Sequence, residues 1–143
     1  MIAALAVVIA IVAWFRPVHT ASQNFTAQQS ADAKTSLCSA YTAAHQAVVI
    51  NTHLANPRAG DPIGSLAVAA NARLALLGGG TYLGDRIAAQ PAAPADLAKT
   101  LTYMADTIEQ LGINYLAGAP NSVQDQLRIN LDKEIRALDQ LCS

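Results

Sequence analysis

"LAKTLTYMADTIEQLGINYLAG", residues 97–118, decides the fold. Leu97, Leu101, Met104, Ile108, Leu111 and Tyr115 recur at alternating spacings of four and three, which puts them on one stripe of an α-helix. Gly118 comes after the last of them and supplies the left-handed residue that commonly ends a helix. Lys99, Asp106 and Glu109 fall between the apolar positions, as on a solvated face. A helix with one such stripe gains most of its stability from packing that stripe on partners.

Those partners lie on either side. "APNSVQDQL" follows as a turn in which Ser122 and Asp125 predict a helix cap. The helix beyond it carries Leu127, Leu131, Ile135, Leu138 and Cys142. Upstream, "QPAAPAD" is a second turn. Asp61 and Pro62 read as an N-cap and a first-turn proline, and the helix they open has its seam at Ile63, Ala67, Ala70, Leu74, Leu77, Thr81, Gly84 and Ala88. The run Gly78-Gly79-Gly80 costs about 1 kcal/mol of helix propensity per glycine. Because the seam keeps its phase across the run, one helix is expected, with a loop that splits it as the alternative. Before "NPRAGDP", Thr26 and Gln29 form a capping box, and Leu37, Tyr41, Ala44 and Val48 give the stripe of the first helix, which Asn56-Pro57 ends near Ala55.

Four helices joined by short connections predict an all-α fold, an up-down-up-down antiparallel four-helix bundle. Two cysteines test that arrangement. Counted from the shared end of the bundle, the path from Ala55 back to Cys38 nearly equals that from Ser122 on to Cys142. Both sit on or beside their seams. A Cys38–Cys142 disulfide is therefore expected, against two unrelated buried thiols, and it would need an oxidising compartment.

Residues 1–15, "MIAALAVVIAIVAWF", are uncharged and have no polar face. As a helix they would reach about 22 Å, short of a ~30 Å hydrocarbon core. No basic residue precedes the run and no small-residue cleavage pattern follows it, as a signal peptide would require. Trp14 and Phe15 beside Arg16 resemble an interfacial belt. Residues 1–17 therefore read as a transmembrane anchor in the lipid bilayer, with a cleaved signal peptide as the competing reading. Residues 18–25 are a linker. Residues 26–143 form an extracytoplasmic bundle, with helices at about 26–55, 62–89, 94–118 and 122–142. Arg16 after the span would favour a cytoplasmic domain, but the disulfide outweighs a single charge. The absence of a cytosolic flank points either to a natural start other than Met1 or to a flank that was trimmed.

Composition narrows the function. Hydrophobic residues are 52% and charged residues 13% of the 143, against about 25% charged in an ordinary soluble domain. Aromatics are only 5%, so the core is built from alanine and leucine and leaves little room for a large cofactor. The net charge of −1, without a basic stripe, argues against nucleic acid. His45 and His53 are too far apart along one helix to share a metal, and no clustered Cys or His with metal-ligand spacing occurs. A haem held by Met104 and His45 is disfavoured, because Met104 fits the seam as plain core. No nucleophile elbow, phosphate loop or dinucleotide fingerprint is present. The expectation is a protein without catalytic activity, metal or cofactor.

Polar and apolar exceptions remain as site candidates. Asn51 falls at a core position of the first helix, and Asn71 and Asn114 sit in apolar turns. They read as register-fixing polar residues or as candidate lining for a small ligand. Leu76, Leu83 and Ile87 flank the second seam; they fill the core or, where exposed, form a docking surface.

The strings "ADAKTSLCSAY", "LAVAANARLAL", "INYLAG" and the terminal "LC" resemble alanine-rich, single-pass envelope proteins of the mycobacterial type, over most of residues 26–143. That resemblance implies an inner-membrane anchor, an extracytoplasmic bundle and a disulfide, with a proline-rich cytosolic segment before the span. It implies no activity. Together these readings predict a membrane-anchored accessory module of a cell-envelope complex, partnered by an integral-membrane or envelope protein. The alternative is a bundle that binds or senses a small ligand or lipid.

Overall fold

The computed structural model describes residues 24–143. The anchor expected at 1–17 and most of the linker lie outside them. Among the described residues all regular structure is helical: α1 (Ala27–Thr52), α2 (Pro62–Ala88), α3 (Ala95–Leu116) and α4 (Asn121–Leu141). The start of α1 and the end of α3 follow local chemistry. Thr26 and Gln29 exchange both bonds of the capping box, at 3.1 and 2.8 Å. At the end of α3, Gly118 has φ +68°. Its N–H and that of Ala119 donate to Tyr115 and Asn114 carbonyls, closing the helix with a Schellman motif.

Packing follows the chain. α2 lies on α3, α1 on α2 and α3 on α4, with a smaller α1–α3 contact. The stripes expected on α1 (Leu37, Tyr41, Ala44, Val48) and on α3 (Leu97 through Leu111) are buried and share one core with Leu76, Leu83 and Leu138. Each fully buried leucine of that set contributes roughly 1.5–3 kcal/mol relative to exposure. Cys38 and Cys142 are joined in a disulfide, with Cα atoms 5.5 Å apart and a sequence separation of 104. Such a bond persists in oxidising compartments.

The second helix departs from expectation. It runs unbroken through Gly78–Gly80, but it is turned about its axis. The seam read from Ile63 to Ala88 faces solvent except at Leu77, which is half-buried against Gly112 of α3: Ile63 is 78% exposed and Leu74 70%. The opposite side is buried through Leu76, Gly79, Gly80 and Leu83. Glycine is the reason. A Cβ on Gly80 would meet the Ala105 carbonyl oxygen at 2.9 Å, and one on Gly79 would touch Ile108 and Val48 at 3.4 and 3.5 Å. α2 therefore approaches α3 backbone to backbone at Gly80, which only the glycine side permits.

Smaller corrections concern the ends. α1 stops at Thr52 rather than near Ala55. The loop beyond it is organised by Asn56, whose side-chain NH₂ donates to the Asp61 carbonyl (2.9 Å) and Ser65 Oγ (3.1 Å). Ser122 does not cap α4, which starts at Asn121 after Pro120 without a side-chain cap. Asp125 instead pairs with Arg128 at 3.0 Å. Met104 is buried in the core, and His45 stacks on Tyr41 with ring centroids 5.5 Å apart.

Candidate functional site

Two features stand out from the packed helices: an apolar face on α2 and a cleft between α1 and α4. The face is the outer side of α2. Ile63, Leu66 and Leu74 expose 78%, 66% and 70% of their surface, and Ala67, Ala70, Gly78 and Thr81 fill the space between them. Beside it runs a groove of about 340 Å³ at the α1–α2 junction, lined by Ala43, Ala47, Leu74, Gly78 and Tyr82. Its walls are almost wholly apolar because small residues on both helices leave the space unfilled. A contiguous patch of this kind is the usual mark of an interaction surface. Among the described residues α2 is also the one helix long and apolar enough to cross a membrane.

The cleft has a different chemistry. At one end, α1 and α4 are held together by Cys38–Cys142 and by the Tyr41 hydroxyl, which donates to Asp139 at 2.7 Å. Further along the two helices lies a space of about 390 Å³. Val48, Leu76, Leu111 and Leu131 form its floor, and Thr52, His53, Tyr115, Arg128 and Asp132 its rim. Arg128 is held in place by the Tyr115 hydroxyl at 2.9 Å, by Gln124 at 3.2 Å and by Asp125. The Tyr115 bond is the main reason its pKa is raised further above the usual value. An apolar floor with a polar rim that carries both Arg128 and Asp132 suits a small amphiphile.

One half-buried carboxylate lies between α3 and α4. Glu134 accepts a bond from Thr107 Oγ1 at 3.1 Å, while its second oxygen is buried without a partner. Burial raises its pKa, opposed by the Thr107 bond and reinforced by nearby Asp106. Among the described residues no group of three or more His, Cys, Asp or Glu is placed to hold a metal ion.

The residues singled out from sequence are not brought together. Asn51 bonds back to the Ala47 carbonyl of its own helix at 2.8 Å. Asn71 is exposed, and Asn114 is half-buried at a surface depression beside Asp106 and Glu109. Leu76 and Leu83 are 2% and 0% exposed, and Ile87 packs against the same core. They form no docking surface, since they occupy the glycine side of α2. Sequence reasoning placed the exposed face in the core and missed Arg128. The apolar heptad was visible, but which side of α2 it faced was not. No family model, curated protein or solved structure matches the chain, so the functional reading rests on its own residues.

Proposed function

We propose that the chain is a membrane-anchored, extracytoplasmic interaction module: an up-down-up-down antiparallel bundle held at the plasma membrane by residues 1–17. In this reading it is an accessory or scaffold subunit of an envelope complex and has no chemistry of its own. The observation that supports it is the exposed α2 face on a domain stapled by a disulfide. Leaving Ile63, Leu66 and Leu74 in water forgoes roughly 1.5–3 kcal/mol each, a cost that a docked partner removes. The resemblance to mycobacterial-type envelope proteins agrees with the location but adds no partner.

Affinity purification of the tagged full-length chain in mild detergent, followed by mass spectrometry, tests this. Recovery of a stoichiometric membrane or envelope protein, or of further copies of the chain, is expected. Recovery as a lone single chain would end the proposal.

The cleft between α1 and α4 favours a second reading, a bundle that binds a small amphiphile with its head at Arg128. Native mass spectrometry of the same preparation would then show one bound molecule, lost on Leu131→Trp. A cleft that takes up no single-chain amphiphile excludes it.

A further inference from the structure

We infer that the cleft between α1 and α4 continues past Tyr115 to Arg73 of α2, and that its ligand is a single-chain amphiphile with an anionic head held between Arg128 and Arg73. This rests on the second reading above and names the ligand class.

The space follows from side-chain size. Towards the disulfide end, Leu76 and Leu83 of α2 fill the core. One and two turns nearer the start of α2, the same side of the helix carries Ala72 and Ala69, and α1 brings only Thr52 to meet them. That leaves a second space of about 180 Å³, lined by Thr52, Ala69, Ala72, Arg73 and Tyr115. Thr52 and Tyr115 also border the cleft of about 390 Å³, so the two spaces share a wall. The floor of the cleft is core: Val48, Leu76 and Leu111 are 6%, 2% and 3% exposed. Packed interiors leave few voids larger than a water molecule, and an opening of this size that reaches the core is of ligand dimensions.

Its volume limits the apolar part. A methylene group fills roughly the 30 Å³ share of one water molecule, so the cleft takes about a dozen carbons. That is one aliphatic chain and not the pair carried by a bilayer phospholipid.

The arginines select the head. Arg73 is half-buried, and the one ion pair among the described residues is Arg128–Asp125. A guanidinium drawn partly out of water without a counter-charge is costly, and an anion seated in the space beside it removes that cost. Arg128 reaches the same tyrosine from the larger space, with Nη2 donating to the Tyr115 hydroxyl at 2.9 Å. A head group at Tyr115 therefore has a guanidinium on each of the two spaces. Asp132 on the rim is exposed, so water and salt screen its charge more than that of half-buried Arg73.

The test uses the full-length chain in phosphatidylcholine nanodiscs, which keep detergent out of the cleft, and a diazirine-bearing palmitate as photoprobe. Peptide mapping should place adducts at residues 48–53 of α1 and at Leu131 of α4. Unlabelled palmitate and lysophosphatidate should both compete, and the better competitor identifies the head as carboxylate or phosphate. Hexadecanol, an uncharged chain, should compete roughly tenfold more weakly. Arg73→Gln should weaken probe binding by roughly tenfold or more, and Arg73→Lys should restore most of it. Arg58→Gln, at an exposed arginine of the α1–α2 loop, should leave binding unchanged. All three variants should keep the parent's far-ultraviolet circular dichroism. Equal competition by hexadecanol, or unchanged binding in Arg73→Gln, overturns the inference and leaves the small-amphiphile reading standing. Absence of adducts from the cleft overturns both.

Discussion

The Tyr41 hydroxyl on α1 donates to Asp139 on α4 at 2.7 Å, one helical turn from the disulfide that joins the same two helices. Burial, then the Asp139 bond and charge, push the Tyr41 pKa well above its ordinary value of 10.0. The phenol is thus held neutral in the fold. Below about pH 10 both folded and unfolded states keep the proton and stability is unaffected; above it the unfolded state ionises first and stability falls. Tyr41→Phe should cost about 1 kcal/mol at neutral pH and remove part of the alkaline loss. Urea unfolding between pH 7 and 11 measures both.

Reduction of Cys38–Cys142 releases a loop of 104 residues in the unfolded chain. The chain-entropy account assigns such a closure up to about 4.7 kcal/mol. Cys38→Ser with Cys142→Ser should lower stability by roughly 2–5 kcal/mol. The α1–α4 end that holds Tyr41 and Asp139 should lose hydrogen-exchange protection before the α2–α3 core does.

The three consecutive glycines of α2 should respond differently to alanine. Gly80→Ala sets a methyl against the Ala105 carbonyl and Glu109, an overpacking that costs about 1–3 kcal/mol. Gly78→Ala meets open space and should gain about 0.5–1 kcal/mol through helix propensity. Thermal unfolding of the two variants against the parent settles the rotation of α2, because the opposite facing would reverse the signs.

Glu134 gives a pH signature of its own. Its pKa is raised by burial, with Asp106 adding to the effect. An acid whose folded pKa is raised ionises first in the unfolded state, so stability is fullest below the ordinary carboxylate value and falls as pH rises towards the folded pKa. Glu134→Gln retains the acceptor for Thr107 and removes the charge. It should be more stable than the parent near pH 7, with the difference shrinking towards pH 4 in chemical denaturation.

Much of this fold is legible in the residues. On α1 and α3 large apolar side chains alternate with polar ones, so only one face can be buried and Leu37, Tyr41, Leu101 and Ile108 mark it. Thr26, Asp61 and Gly118 act through local bonds that sequence spacing exposes directly. The disulfide was legible because two helix lengths place both cysteines at one height. α2 was not, because both of its sides are apolar. Ile63, Ala70 and Leu74 form the better heptad, yet Gly80 permits the closer approach to α3, and contact with the α3 backbone cannot be read from a hydrophobicity pattern. Arg128 escaped notice for a related reason: its partners Tyr115 and Gln124 belong to two helices whose relative rotation had to be known first.

The central claim is that the outer face of α2 is a protein-interaction surface. Photo-cross-linking in intact cells tests it most directly, with benzoylphenylalanine placed at Leu66 or Leu74 and, as a control, at Val123. The account predicts discrete protein adducts from both α2 positions and none from Val123. Absence of adducts from Leu66 and Leu74 in cells that display the folded, disulfide-bonded chain would contradict it.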